Sequence, residues 1–197
     1  MIRLVMASLV SLCVWTSQAN AQGGFVKVTY INPGNTIVIE GTNYADTITI
    51  HTTQTQARIT SWDNVLGWII TLASPAPTIY AYGYDGNDLI GCVNMDEVDD
   101  QFHPKCNFYG GNGEDALIGA NNEDYLAGGP HDDLLYGKGG FDIIYGDAGD
   151  DIVWSGGGAD WTCGSSSPYA DDGANNTLDQ GGSNDMATYY FDSISNP

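Results

Sequence analysis

The sequence predicts an all-β fold built from stacked repeats, and three observations support this prediction. A nine-residue unit recurs through the middle of the chain, and a fixed period of this kind is the signature of a repeat architecture. The 197 residues include 26 Gly and 21 Asp, which favour tight turns. No stretch sustains the periodicity of an amphipathic helix.

The charge of the chain limits the partners that it can bind. With 25 acidic and 5 basic residues, the net charge is −20, and such a chain repels nucleic-acid phosphates and anionic membrane surfaces. Only 4 of the acidic residues are Glu, whereas disordered acidic chains are usually rich in Glu. Since 42% of the residues are hydrophobic, the chain can also bury a core. The Asp and Gly content therefore indicates turns or calcium loops rather than disorder.

Residues 1–21 have the features of a secretory signal peptide. Arg3 supplies a positive start, residues 4–15 form an apolar stretch too short to span a bilayer, and Ala19-Asn20-Ala21 is a cleavage signature of the A-x-A type. We expect cleavage after Ala21 and a mature chain in the extracellular space or the periplasm, where disulfides persist. No later apolar run is long enough to cross a membrane.

Three columns of residues keep the nine-residue phase over six repeats. The aspartate column consists of Asp115, Asp124, Asp133, Asp142, Asp151 and Asp160. The column five positions earlier consists of Gly110, Gly119, Gly128, Gly137, Gly146 and Ser155. The column two positions after the aspartates consists of Leu117, Leu126, Leu135, Ile144, Val153 and Thr162. The unit reads G-G-x-G-x-D-x-U-x, in which U is a large aliphatic residue. Residues 83–90, with Asp88, are a further copy, and residues 41–48 are a degenerate one.

This pattern resembles the repeats-in-toxin (RTX) calcium-binding family, well over residues 83–163 and weakly over residues 41–50. The resemblance implies an all-β, parallel β-roll, which is a two-sheet β-solenoid with calcium-binding turns. In each unit, six residues form a turn, and the next three form a strand whose U residue points inward. Two units make one coil, so neighbouring turns along one edge are 18 residues apart. One edge would carry Asp115, Asp133 and Asp151, and the other would carry Asp124, Asp142 and Asp160.

The resemblance also implies several Ca²⁺ ions, each shared by two turns and bound by carbonyl and carboxylate oxygens, the ligands that calcium prefers. The candidate metal-binding residues are Asp88, Gly110, Asp115, Asp124, Gly128, Asp133, Gly137, Gly139, Asp142, Gly146, Gly149, Asp151, Gly156 and Asp160. Turn 119–124 lacks two of the usual glycines, and turn 128–133 has His131 where Gly is usual. Turns 137–142 and 146–151 match the pattern best, and we expect calcium there first.

The flanks of the repeats are expected to be irregular β-structure that caps the roll. Residues 22–82 contain β-branched or aromatic runs at 36–40, 46–51, 57–60 and 78–82, and a turn at 32–35. We interpret them as wider coils without calcium, with a separate small β-domain as the alternative. The repeats of 83–163 are interrupted by an acidic insert at 92–106. Residues 164–197 are expected to form a loop and then a capping strand.

Three cysteines remain after cleavage, namely Cys92, Cys106 and Cys163. A disulfide between Cys92 and Cys106 would close the insert and is the favoured interpretation. The alternative is three buried thiols. The odd number leaves Cys163 without a partner within the chain or paired to another molecule.

The residues beside each U position are expected to point outward and to form apolar faces on an acidic protein. Tyr136 and Trp154 would be neighbours on one sheet, with Tyr145 on the other sheet. Such faces are typical of partner or ligand surfaces, and a glycan or a cell surface is the expected partner. Apolar outward residues that are simply common in such repeats are the alternative.

The resulting hypothesis is a secreted, non-catalytic calcium-binding protein that folds on binding Ca²⁺ and acts as an adhesion or surface-interaction module. The sequence contains no H-E-x-x-H and no G-x-S-x-G motif, so neither a metalloprotease nor a lipase is supported. One alternative is a polysaccharide-acting β-helical enzyme with Tyr125, His131 and Asp132 in one groove. The other is a structural surface or matrix component.

Overall fold

The structure is a computed structural model, and it describes residues 13–16, 26–31, 34–53, 56–61, 68–72, 76–94, 103–164, 177–179 and 186–188. These residues form strands, turns and bends without a helix, so no helix among them has the length and apolarity to cross a membrane. The fold is all-β, as the sequence predicts.

Among the described residues, one sheet has nine strands. In the order of hydrogen bonding they are β1 (Cys13–Thr16), β2 (Lys27–Ile31), β3 (Thr36–Glu40), β7 (Thr78–Asp85), β9 (Lys105–Asn112), β11 (Tyr125–Pro130), β13 (Ile143–Ala148), β15 (Trp161–Cys163) and β17 (Met186–Thr188). From β3 to β17 all neighbours are parallel. We call this sheet one.

The second sheet has eight strands within the part of the chain that the structure describes. They are β16 (Thr177–Asp179), β14 (Ile152–Gly158), β12 (Leu134–Gly140), β10 (Ala116–Ile118), β8 (Leu89–Asn94), β4 (Thr47–Thr52), β5 (Gln56–Ser61) and β6 (Trp68–Thr71). From β16 to β4 all neighbours are parallel. We call this sheet two. Because the chain alternates between the sheets at every repeat, it winds as a parallel β-roll.

The core lies between the two sheets. The U column forms its part within the repeats, and buried side chains such as Ile37 and Ile48 continue it into the N-terminal strands. The side chains of Leu117, Leu126, Leu135, Ile144 and Val153 are fully buried. They stack in register, because Leu117 pairs with Leu135 and Leu126 pairs with Ile144. Each such side chain contributes about 1.5–3 kcal/mol of burial free energy relative to an exposed one. The inward direction predicted for the U residues is confirmed.

The N-terminal flank contains antiparallel pairs in addition to the wider coils expected for residues 22–82. β2 pairs antiparallel with β3, and β4, β5 and β6 form an antiparallel meander. Each group extends one sheet of the roll, because β3 pairs with β7 and β4 pairs with β8 in parallel. Gly34 and Asn35, both with positive φ, form the described part of the predicted turn at 32–35. Hairpins are possible here because these short runs carry no constraint from the nine-residue phase.

The predicted C-terminal strand is present as β17, which pairs with β15, and β16 adds a further strand beside β14. The loop expected at 165–176, the residues at 180–185 and most of the insert at 95–102 lie outside the described residues. Of the predicted signal peptide, the structure describes only β1, which pairs antiparallel with β2.

The Sγ atoms of Cys92 and Cys106 lie 3.0 Å apart in the core. The predicted disulfide is therefore not formed in the structure, because a disulfide bond joins its sulfurs at about 2.05 Å. Both thiols are buried, as is that of Cys163. Cys163 is 1% exposed.

Candidate metal-binding turns

The turns of the roll are stacked along two edges by a repeated hydrogen bond between aspartates. On edge one, which joins turns 41–46, 83–88, 110–115, 128–133 and 146–151, each aspartate N–H donates to Oδ1 of the aspartate in the next turn, at 2.6–2.9 Å. Edge two joins turns 119–124, 137–142 and 155–160 by the same bond at 2.9 Å. Consecutive nine-residue repeats therefore place their turns on alternate edges, as expected.

The second carboxylate oxygen of these aspartates has a different environment. Oδ2 of Asp88, Asp115, Asp133 and Asp142 is buried, and it accepts no hydrogen bond from the described residues. A buried carboxylate oxygen without a donor is costly, because it has lost its hydration. Its recurrence at equivalent positions indicates that the turns are built for a further ligand rather than for their own backbone donors.

The first residue of each turn lies directly against this oxygen. A Cβ at Gly110 would stand 2.3 Å from Asp115 Oδ2 and 2.6 Å from the carbonyl oxygen of Gly128 in the next turn. At Gly137 both corresponding distances, to Asp142 Oδ2 and the carbonyl oxygen of Ser155, would be 2.4 Å. The glycine therefore leaves room for a carboxylate oxygen and a carbonyl oxygen from two successive turns to converge.

The second and fourth residues of most turns adopt positive φ. In turn 110–115 these are Gly111 and Gly113, with φ of 113° and 136°. A Cβ at Gly111 would stand 2.1 Å from the carbonyl oxygen of Tyr84, in the preceding turn. The equivalent distance for Gly149 is 2.1 Å, to the carbonyl oxygen of His131. The carbonyl groups of the second and fourth turn residues, such as those of Tyr84 and His131, therefore face the next turn along the edge.

Burial is the main cause of the raised pKa values of these aspartates. The pKa is raised to about 7 for Asp88 and about 6 for Asp115. It reaches about 8 for Asp133 and for Asp142. Neighbouring carboxylates raise it further, as Asp115 and Asp151 do for Asp133. No positive side chain is among the causes that shift the pKa of Asp88, Asp133 or Asp142, and a divalent cation would supply the compensating charge.

The chemistry of these donors fits Ca²⁺. Carboxylate and carbonyl oxygens from two adjacent turns are hard ligands, and calcium takes six to eight of them at about 2.3–2.6 Å. Within the described part of the chain no group of three or more His, Cys, Asp or Glu side chains forms a conventional metal cluster. That result agrees with turns in which much of the donor set is backbone.

Turn 119–124 departs from this arrangement. Ala120 N–H donates to Asp124 Oδ2 at 2.5 Å, and Cys106 N–H donates to Oδ1 at 2.7 Å, so both oxygens of Asp124 accept a hydrogen bond. None of residues 120–124 has positive φ. Lys138 Nζ donates a hydrogen bond to the carbonyl oxygen of Cys92 at 2.5 Å. Burial raises the pKa of Asp124 to about 7, and the positive charge of Lys138 lowers it in part. Asp46 has a related contact, from Thr42 N–H to Oδ2 at 2.6 Å.

The turns that match the repeat best are not free of strain. Lys138 and Asp147 adopt φ of 79° and 75°, and His131 adopts 86°, a region unfavourable for residues with a Cβ. Turns 137–142 and 146–151 therefore each contain one strained residue, as does turn 128–133. Gly139 differs from the other candidate glycines, because a Cβ there would have only ordinary contacts, the nearest at 3.5 Å.

The outer faces carry aromatic rows, and one of them extends further than the sequence suggested. Tyr136 and Trp154 pair on sheet two, and they are 40% and 41% exposed. On sheet one, adjacent rings 5.0–6.2 Å apart form a continuous row. Its members are Tyr84, Tyr82, Tyr109, Tyr125 and Tyr145. The nine-residue period could have identified Tyr109, because it lies 18 residues before the outward position of Ala127 and pairs with it.

The residues of the alternative enzymatic groove are not gathered in the cavity between the insert and turn 119–124. That cavity is lined by Thr52, Cys92, Val93, His103, Pro104, Ala120, Asn121 and Lys138. His131 and Asp132 belong to turn 128–133 on edge one, whereas Tyr125 lies in the tyrosine row of sheet one.

The fold defines the protein as a two-sheet parallel β-roll whose turns present carboxylate and carbonyl oxygens. Residues 127–161 match the family model of the RTX calcium-binding nonapeptide repeat in four copies. The chain therefore carries RTX repeats, and such repeats bind Ca²⁺. Searches of curated proteins and of solved structures found no match.

Proposed function

We propose that this protein is a secreted, non-catalytic β-roll that folds on binding several Ca²⁺ ions and then acts as a surface-interaction module. The observation that carries the proposal is the repeated, buried Oδ2 atom without a hydrogen-bond donor at Asp88, Asp115, Asp133 and Asp142. The proposed ligands of the ions are these carboxylates, those of Asp151 and Asp160, and carbonyl groups of the adjoining turns.

Metal binding would be coupled to folding for an electrostatic reason. Without cations, the aligned carboxylates of one edge must either repel one another or be protonated. A Ca²⁺ ion between two turns removes both costs, so its binding free energy becomes folding free energy. Calcium modules outside cells bind at about 10⁻⁴–10⁻³ M, and this range would keep the protein loose in a calcium-poor cytoplasm and folded outside.

Secretion is supported by the N-terminal sequence. The positive start, the short apolar stretch and Ala19-Asn20-Ala21 are typical of a cleaved signal peptide. Cleavage after Ala21 would remove β1 and leave β2 as the outer strand of sheet one.

The interaction surface is proposed to lie on the outer face of sheet two. Tyr136 and Trp154 are half-exposed neighbours, and Leu134 and Ile152 beside them are 38% and 41% exposed. Flat aromatic rings on a rigid sheet are suited to stacking on a sugar ring of a glycan. A glycan array with the calcium-loaded protein tests this role. Trp154→Ala is expected to abolish retention, whereas Phe141→Ala, an exposed aromatic at the turn, should leave it unchanged; equal retention by both variants would refute the surface.

The calcium part of the proposal is tested by counting bound ions with native mass spectrometry. The wild-type chain should bind several Ca²⁺ ions, and Asp133→Asn should bind fewer. Asp132→Asn is the matched control, since the side chain of Asp132 is exposed and accepts a hydrogen bond from Asp150 N–H. An equal ion count for both variants would contradict the assignment of Asp133.

A further inference from the structure

The two ends of the insert, Cys92 and Cys106, occupy the positions that begin and end a turn on edge two. Cys106 N–H donates to Asp124 Oδ1 at 2.7 Å, which is the bond that aspartate N–H groups make elsewhere on the edge. Cys106 lies 18 residues before Asp124, so it occupies the aspartate column. Cys92 follows Ile90 by two positions, as Gly119 follows Leu117, so it occupies the glycine column. Cys92 and Cys106 therefore occupy the first and last positions of a turn, and we call the segment 92–106 that they bound the enlarged turn.

The first and last residues of a turn contact each other in the other repeats as well. A Cβ at Gly119 would stand 2.4 Å from Asp124 Oδ2, and the equivalent distance at Gly128, to Asp133 Oδ2, is 2.2 Å. In the enlarged turn the same two positions bring together Cys92 Sγ and Cys106 Sγ at 3.0 Å. A thiol thus stands where the other turns have a carboxylate, and a second thiol fills the space that glycine leaves.

The two thiols also join different parts of the fold. Cys92 belongs to β8 in sheet two, and Cys106 belongs to β9 in sheet one. The chain between them is the longest connection within the repeats, at 15 residues from Cys92 to Cys106 instead of six. A cross-link that closes a longer loop removes more conformational freedom from the unfolded chain.

We propose that Cys92 and Cys106 are a redox modification site, and that their disulfide closes the enlarged turn covalently at the place where other turns of the roll use a carboxylate. The oxidant is a disulfide, either a small molecule such as glutathione disulfide or the disulfide form of a thiol–disulfide oxidoreductase. One thiolate attacks the oxidant and releases one thiol, and the second thiolate then attacks the mixed disulfide and releases the other. Two protons leave the cysteines, and the oxidant is reduced to two thiols.

The closed fold hinders this exchange. Cys106 is fully buried and Cys92 is 4% exposed, so an oxidant reaches neither sulfur. Burial also raises the pKa of Cys106 well above its usual value, and the thiolate is the attacking species. The disulfide should therefore form while the roll is open, before or during folding. After folding, the sulfurs need to move closer by only about 1 Å to reach bonding distance.

Oxidation of the full chain by glutathione disulfide tests the proposal. The reduced protein is incubated with the oxidant in calcium-free denaturant, refolded, alkylated under denaturing conditions and digested. We expect a peptide pair joined through Cys92 and Cys106, two mass units lighter than the reduced pair, with Cys163 alkylated. Cys163→Ser should form the same cross-link. Alkylation of both Cys92 and Cys106, or a main cross-link through Cys163, would overturn the proposal.

A second measurement tests whether the disulfide stabilises the folded protein. The urea midpoint of the oxidised protein should exceed that of the reduced protein, because the cross-link limits the unfolded chain. The Cys92→Ser and Cys106→Ser variants should show no effect of the oxidant. An unchanged wild-type midpoint would contradict the covalent closure of the turn. The urea midpoints are measured in saturating calcium, whereas the cross-linked peptides are identified under denaturing conditions. The peptide result therefore does not depend on the proposed calcium-coupled folding.

Discussion

At the scale of single residues, the carboxylates of the roll divide into two kinds. Asp142 has one oxygen bonded to the Asp124 amide and one buried oxygen without a donor. Asp124 has both oxygens bonded to amides and the Lys138 charge nearby. Two members of one sequence column therefore have different chemistry. The difference arises from Ala120, whose backbone closes on Asp124 in a turn without positive φ.

This division predicts unequal effects of two identical substitutions. Asp142→Asn should lower the number of bound Ca²⁺ ions and raise the calcium concentration needed for folding. Asp124→Asn should leave the ion count unchanged, because its carboxylate oxygens are already used by the backbone. Isothermal titration calorimetry of both variants checks this. Loss of an ion from Asp124→Asn alone would show that the division is wrong.

The glycines divide in the same way. In Gly137→Ala, the new Cβ would meet Asp142 Oδ2 and the Ser155 carbonyl oxygen at 2.4 Å, so we expect a loss of about 1–3 kcal/mol of stability in calcium. Gly139→Ala is the matched control, because the nearest atom would lie at 3.5 Å. Urea unfolding in saturating calcium measures both. Equal stability of the two variants would contradict the proposed crowding at the first turn position.

At the scale of the elements, each edge is a column of aspartates whose ionisation is linked. Burial raises the pKa of Asp115, Asp133 and Asp142 from 3.8 to between about 6 and about 8. The folded roll without metal therefore binds more protons than the unfolded chain over this range. Its stability is greatest below about pH 4 and is lost as the pH rises through 6 to 8.

A pH titration without calcium is expected to show this linkage. In chelator, acidification from pH 8 to pH 5 should increase the β signal in far-UV circular dichroism, because protonation removes the buried charge. In calcium the dependence reverses, since the ligands must be deprotonated to bind the metal. Asp133→Asn should shift the acid-induced transition in chelator to higher pH. A chelated roll that loses β signal on acidification would contradict the account.

At the scale of the whole molecule, the nine-residue columns determine most of what the sequence predicts. Leu117 and its equivalents fix the inward face, and the aspartates fix the two edges. With two repeats per coil, strands that are 18 residues apart pair with each other. The hairpin of β2 and β3 lies outside that period, so its antiparallel course depends on tertiary pairing. The hydrogen bond from Lys138 to the Cys92 carbonyl could not be predicted either, because it joins residues 46 positions apart across the insert.

The most direct test of calcium-coupled folding is a calcium titration of residues 22–197, monitored by far-UV circular dichroism, with magnesium as the control. If folding is coupled to calcium, the β signal should rise cooperatively with calcium and should not change with magnesium, which prefers octahedral sites and gives up its water reluctantly. A β signal already complete in chelator at neutral pH, and unchanged by calcium, would contradict it.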